Sequence, residues 1–128
     1  MNLLLDTHVL LWYLNDGPIS EKVRDLIDDD ANDVYISLAS FFEMAIKIRV
    51  GKLQADLKEI SRLIDTFNFC RLNVEDEHCV VMAQLKIDNN HRDPFDALLA
   101  AQALSENLFL ITNDGKLSRY GANIIAAS

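Results

Sequence analysis

The chain has 128 residues, half of them apolar, which suits a single domain spanning 1–128 around one well-formed core. Its 12 basic residues are outnumbered by 20 acidic ones, and the net charge of −8 excludes broad electrostatic affinity for nucleic acid, leaving that role to a local basic patch, to bound cations, or to both. Cys70 and Cys79 are too few and too far apart for a disulfide scaffold or a zinc motif, and they read as reduced thiols of a cytoplasmic protein.

Residues 2–6 form the first expected strand, because Leu3, Leu4 and Leu5 make a continuous apolar run suited to burial on both faces of a parallel sheet. The wider run 1–14 lacks a basic start and is broken by Asp6, so neither a secretory signal nor a membrane span is expected. A short helix follows over Val9–Leu14, then a turn at Asn15-Asp16-Gly17-Pro18. Ser20 caps the next helix, which runs to about Asp30 and ends in a solvated acidic terminus.

Val34-Tyr35-Ile36 is the second expected strand. A helix then runs to Ile48, capped by Ser37 or Ser40, with Gly51 as its stop. Residues 55–68 form an amphipathic helix with Leu57, Ile60, Leu63, Ile64 and Phe67 on one face, and 70–74 a short strand. Glu75 to Asp88 is expected to be helical, with Val80, Val81, Met82, Ala83 and Leu85 as core candidates. A polar loop at 89–92 leads to Asp93-Pro94, a strong helix start, for a helix carried by Ala97–Ser105 and ended near Asn107. A second buried-type strand spans 108–112, a helical turn 116–119 and a last strand 123–125. This alternation predicts a three-layer α/β/α sandwich with a mostly parallel sheet and right-handed crossovers.

Four acids stand out against their surroundings. Asp6 directly follows three leucines at a strand end, where sites form in parallel sheets, although it can also cap the helix after it. Glu43 either closes a capping box with Ser40 or, if Ser37 is the cap, sits inside a helix among Phe41, Phe42, Met44 and Ile46. Asp96 gains helix-dipole energy in a first turn, yet the helix behind it is so apolar that the acid must face the protein or a cleft. Asp114 lies in an ordinary turn sequence, but it ends an apolar strand as Asp6 does. Two carboxylates about 5 Å apart repel by about 3 kcal/mol at an effective dielectric of 20, so convergence of all four requires divalent cations. An all-oxygen ligand set selects Mg²⁺ or Mn²⁺, and such a site activates water for phosphodiester hydrolysis without a nucleophilic side chain.

Four segments carry a resemblance to the PIN-domain nucleases, specifically the VapC-like toxins of toxin–antitoxin pairs: LLLDTHVLLW at 3–12, SLASFFEMAIKIRVGKL at 37–53, HRDPFDALLAAQAL at 91–104 and LITNDGKL at 110–117. The similarity runs from Leu3 to Ile125, with the family's four acids on Asp6, Glu43, Asp96 and Asp114 and its hydroxyl residue on Thr112. The resemblance implies a central five-stranded sheet, Mg²⁺- or Mn²⁺-dependent endoribonuclease activity, homodimerisation, and inhibition by a small cognate antitoxin. It makes Asp6 and Asp96 the principal metal ligands, completed by Glu43 and Asp114. Asp93 is read as a cap with a supporting role. Lys47, Arg49 and Lys52, with His91 and Arg92, are candidates for positioning RNA, and a solvated surface explains them as well. His8 can line the cleft beside Asp6, though a place hydrogen-bonded inside the fold is the favoured expectation. Trp12, Tyr13, Phe41, Phe42, Ile48 and Leu53 are expected mostly in the core, a subset forming an apolar groove for an antitoxin helix. The rival reading is a catalytically inactive PIN-like module that binds RNA or a partner. A dehalogenase-type phosphatase would need an acid where His8 stands, and a receiver domain would need paired acids near strand one.

Overall fold

Leu3, Leu4 and Leu5 are wholly buried, and only a strand with neighbours on both sides and layers on both faces can hide three successive leucines. In the computed structural model, which describes residues 1–86 and 93–128, that strand is the centre of the sheet. β1 (Asn2–Leu5) lies between β2 (Asp33–Ser37) and β4 (Phe109–Thr112). β3 (Cys70–Leu72) and β5 (Asn123–Ala126) take the two edges, giving the order β3-β2-β1-β4-β5 with every neighbouring pair parallel. Leu5 sits in register with Ile36 on one side and Ile111 on the other.

The leucines alternate between two cores. Leu3 and Leu5 pack with Val9, Leu10, Met44, Ile60 and Ile64 beneath α1 (Thr7–Leu14), α2 (Glu21–Asp28), α3 (Leu38–Arg49) and α4 (Leu57–Thr66). Leu4 points the other way, onto Leu99, Ala100 and Ala103 of α6 (Pro94–Glu106). The small residues of α6 let that helix approach the sheet closely. The three-layer sandwich is therefore the expected one. The chain winds outward from β1 to β3, then restarts beside β1 with β4, so the crevice beyond the carboxyl ends of β1 and β4 is the topological switch point where parallel sheets form their sites. Among the described residues, no helix is long and apolar enough to cross a membrane.

Local chemistry sets the helix ends. Ser20 caps α2 by accepting from Val23 N at 3.1 Å, and Asp93 caps α6 by accepting from Phe95 N at 2.9 Å. Asn107 closes α6 in the left-handed region, φ 56°, where an Asn is tolerated. Ser37 caps α3, accepting from Ala39 N at 3.0 Å, so the capping box between Ser40 and Glu43 is not the one used and Glu43 lies within the helix.

Some boundaries differ from those expected. β1 stops at Leu5, with Asp6 as the α1 cap, and β3 stops at Leu72. Phe67 lies just past α4 as its C-terminal cap and is largely exposed. The largest departure is α5 (Asp76–Gln84), expected to reach Asp88; residues 87–92, including the loop at 89–92, lie outside the described ones. Val80 and Ala83 are exposed, whereas Val81, Met82 and Leu85 are only half-buried. The wholly buried residue of α5 is His78. The packed face runs through positions 78, 81, 82 and 85, which turns 80 and 83 to the outside. His78 is tolerated there because it is satisfied: Nδ1 accepts from Glu75 N at 2.9 Å, so Nε2 carries the proton and donates to Glu106 at 2.8 Å.

Candidate active site

Beyond the ends of β1 and β4 lies a cleft of 380 Å³ lined by Asp6, Thr7, His8, Trp12, Glu43, Asp93, Asp96, Asn113 and Asp114. Four of these five acids arrive on different elements, and Asp93 shares the start of α6 with Asp96. Asp6 terminates the central strand, 7% exposed, and its Oδ1 accepts from Val9 N at 2.8 Å. The capping reading and the cleft reading of this residue are thus both met. Burial pushes the Asp6 carboxyl above the usual carboxylate range, and Glu43 pushes the same way; a hydrogen bond from the Thr112 side chain, the Val9 amide and the field of His8 oppose it.

Glu43 comes from inside α3 and is 5% exposed. Its Oε1 accepts from the Thr7 hydroxyl at 2.7 Å and its Oε2 from the Lys47 ammonium at 2.8 Å. A hydroxyl donates only once, so Thr7, having given its proton to the carboxylate, accepts from the Ser40 hydroxyl 3.0 Å away. The Glu43 hydrogen bond raises the Lys47 pKa, and the charges of Asp93 and Asp96 add to it.

Asp93 and Asp96 reach the cleft from the start of α6, where the helix dipole favours negative charge. Asp114 stands two residues past β4. It caps the 3₁₀ turn Gly115–Tyr120 by accepting from Lys116 N at 3.0 Å, and its own N–H donates to Thr112 Oγ1 at 3.0 Å. Thr112, 1% exposed, therefore joins the two strand ends: its hydroxyl serves Asp6 on one side and receives Asp114 N–H on the other.

The cleft thus gathers Asp6, Glu43, Asp96 and Asp114, with Asp93 beside them. Arg49 and Lys52 are exposed and do not line it, while His91 and Arg92 lie outside the described residues. Lys47 spends its charge on Glu43. Of the two places open to His8, the structure shows the cleft wall and not the favoured interior: the residue is exposed, with its ring 5.9 Å from that of Trp12. Two contributors escape a sequence reading. The hydroxyl of Thr7 is one, although its place directly after the strand-end acid is the signal that marks it. Asn113 is the other, and nothing sets it apart from an ordinary turn residue.

The donor set is chiefly carboxylate, with hydroxyl and amide oxygen and the single imidazole of His8, which suits a hard cation such as Mg²⁺ or Mn²⁺ better than a zinc site built on thiolates or several imidazoles. Among the described residues no three acids, imidazoles or thiols form a ready-made cage. The fit is that of an open site, in which one or two carboxylates are completed by water and by the oxygens of a phosphate.

A family model described as the PIN domain matches residues 3–123, and the chain belongs to the PIN-domain family. Its fold is shared with a chain of VapBC2 from Rickettsia felis, solved bound to a DNA fragment from its promoter, at 20% identity and a TM-score of 0.69 over 98% of each chain. FitAcB from Neisseria gonorrhoeae matches at 22% identity and a TM-score of 0.69, over 98% of this chain and 97% of that one. A toxin–antitoxin complex from Klebsiella pneumoniae matches at 19% identity and a TM-score of 0.66, over 98% of both. No curated protein matches by sequence.

Proposed function

We propose that this chain is a divalent-metal-dependent endoribonuclease and the toxin of a toxin–antitoxin pair. The observation that carries the reading is the gathering of four acids from four separate elements in one cleft at the switch point of the sheet. Repulsion among acids that share a cleft is relieved when a divalent cation binds between them. Asp6 and Asp96 would hold a Mg²⁺ or Mn²⁺ ion, with Glu43 and Asp114 completing the cluster. When bound, the ion supplies an activated water and the positive charge that steadies the leaving oxygen of a phosphodiester.

The chain's own residues do the positioning. The Val9 amide and Thr112 hold the Asp6 carboxylate at the strand end, and Thr7 fixes Glu43 opposite it. Thr112 also ties down the backbone of Asp114. Asp93 supports the site as the cap that sets where α6, and hence Asp96, begins. His8 and Trp12 form a wall on which the substrate rests. Arg49 at the end of α3 and Lys52 past it, with His91 and Arg92 ahead of Asp93 in the sequence, would guide an RNA backbone toward a cleft of the same sign as the substrate.

One of the solved relatives is a toxin–antitoxin complex from Klebsiella pneumoniae, which supports an antitoxin partner here. A groove of 240 Å³ lined by Leu11, Leu14, Leu53, Ile60 and Leu63 and edged by Asp56 and Glu59 would take apolar side chains of an antitoxin helix; of the residues expected to form such a groove, only Leu53 lines it. We extend the proposal to a homodimer, which the resemblance to PIN-domain toxins implies, working in the cytoplasm, where Cys70 and Cys79 stay reduced.

The reading is tested by incubating cellular RNA with the purified, antitoxin-free chain in Mg²⁺ or Mn²⁺, in EDTA, and beside Asp6→Asn. Discrete fragments that vanish in EDTA and in the variant are expected. Intact RNA with a folded protein would favour the module that binds RNA or a partner without cleaving.

A further inference from the structure

Glu43, one of the acids of the cleft, is paired with a cation of the chain's own. α3 sets Glu43 and Lys47 one turn apart with the acid nearer the N-terminus, the favourable order for such a pair. An ordinary surface pair of this kind leaves its acid in water. Here the Glu43 side chain is 7% exposed, the Lys47 side chain 38%, and the acid faces a cleft that holds Asp6, Asp93, Asp96 and Asp114. The ammonium lies 2.8 Å from Oε2 while the Thr7 hydroxyl holds Oε1 at 2.7 Å, so both oxygens of this buried carboxylate are engaged by groups of the chain. Asp6, the other buried acid, is served instead by dipoles, the Val9 amide and the Thr112 hydroxyl, together with the more distant His8.

We propose that Lys47 is the built-in counter-cation of the acid cleft: it holds Glu43 in position before any divalent ion enters, and its ammonium opposes the binding of that ion. The first half stands on the geometry of the pair alone. The second half rests on the metal-dependent reading above. Lys47 is thus a positioning residue, acting through Glu43. The consequence is a chain that keeps its cleft assembled when metal is scarce, in return for a weaker hold on metal.

The test is a thermal melt in EDTA of the wild-type chain, Lys47→Met, Lys47→Arg, Glu43→Gln and the double variant Glu43→Gln/Lys47→Met, followed by calorimetric titration with Mn²⁺. Methionine keeps most of the lysine stem and removes its charge. Lys47→Met should lower the metal-free Tm by about 3–8 °C, because it leaves a buried carboxylate uncompensated. Lys47→Arg should recover most of the loss. In the Glu43→Gln background the same change to methionine should cost at most about 1 °C, since no charge is left to balance. Lys47→Met should bind Mn²⁺ about tenfold more tightly than wild type.

An equal loss of Tm in both backgrounds would overturn the proposal, since the lysine would then be acting through its stem. Unchanged or weaker Mn²⁺ binding by Lys47→Met would overturn the second half. If Lys47→Met does not fold, the double variant decides: a folded double variant places the fault in the bared charge of Glu43 and supports the proposal, whereas an unfolded one overturns it. No arm reads RNA cleavage, so a chain that binds Mn²⁺ but fails as a nuclease leaves the proposal intact. A wild-type chain that binds no Mn²⁺ would sink the metal reading and the second half with it, while the melts still decide the first.

Discussion

β1 and β4 end alike in sequence and differently in space. Each is an apolar run that stops at an aspartate, and each aspartate caps the turn or helix that follows, Asp6 by holding Val9 N at 2.8 Å and Asp114 by holding Lys116 N at 3.0 Å. Asp6, however, follows the central strand directly and is 7% exposed, whereas Asp114 lies two residues beyond the neighbouring strand on the half-buried rim of the cleft. Depth is what separates the two roles. The central acid carries a desolvation penalty that the Thr112 hydroxyl, the Val9 amide and the field of His8 offset only in part.

The widest gap between the two ends should appear in catalysis. Asp6→Asn should reduce RNA cleavage on the order of 10³-fold, the loss of about 4 kcal/mol of transition-state stabilisation. Asp114→Asn should cost about 10- to 100-fold. Rates measured under single turnover for both variants check the order, and equal losses would break the comparison. Thr112 links the two ends, so Thr112→Val should strip a donor from Asp6 and an acceptor from Asp114 N–H together, destabilising the fold by about 1–3 kcal/mol in denaturant melts. Thr112→Ser should restore most of that.

A third difference lies in pH. The folded pKa of Asp6 is raised above its model-peptide value of 3.8, chiefly by burial, so the folded state holds this proton to higher pH than the unfolded chain does. Ionising Asp6 therefore takes stability away as pH rises through the folded pKa, and the penalty is absent below the unfolded one. Metal-free Asp6→Asn should melt above wild type at neutral pH, with the gap closing as pH falls toward 3.8; Asn keeps the helix cap. Mn²⁺ should raise the Tm of wild type and not of the variant. The smallest effect belongs to the rim: Asp114→Ala should cost about 0.5–1 kcal/mol as a lost cap, and Asp114→Asn almost nothing, by the same melts.

Asp6, Glu43 and Asp96 are legible in the sequence because each breaks a local rule, whereas Asp114 is marked only by ending an apolar strand as Asp6 does. A carboxylate after three leucines, one amid Phe41, Phe42 and Met44, and one opening a nearly all-apolar helix are all hard to explain as surface. The sheet and its two cores follow from the same apolar runs. What stays hidden depends on partners distant in the chain. His78 sits buried on α5 only because Glu75 N–H and Glu106 meet its two nitrogens, and nothing in the local pattern of 75–88 reveals Glu106. The expectation that Val80 and Ala83 pack inward fails for that reason, since a polar residue marks the buried face. The choice between Ser37 and Ser40 as the α3 cap likewise turns on where β2 stops, and it settles whether Glu43 is a cap or a cleft residue. Lys47 looks like a free cation in the sequence, one turn from an acid that only the fold makes buried.

The central claim is that the acids at the switch point hold a divalent cation, and calorimetric titration of the metal-free chain with Mn²⁺ addresses it most directly, with Asp6→Asn and Asp96→Asn run alongside. Saturable binding by the wild-type chain, lost in both variants while they remain folded, is the predicted result. A folded wild-type chain that takes up no Mn²⁺, or one that binds as well after either acid is removed, would contradict the account.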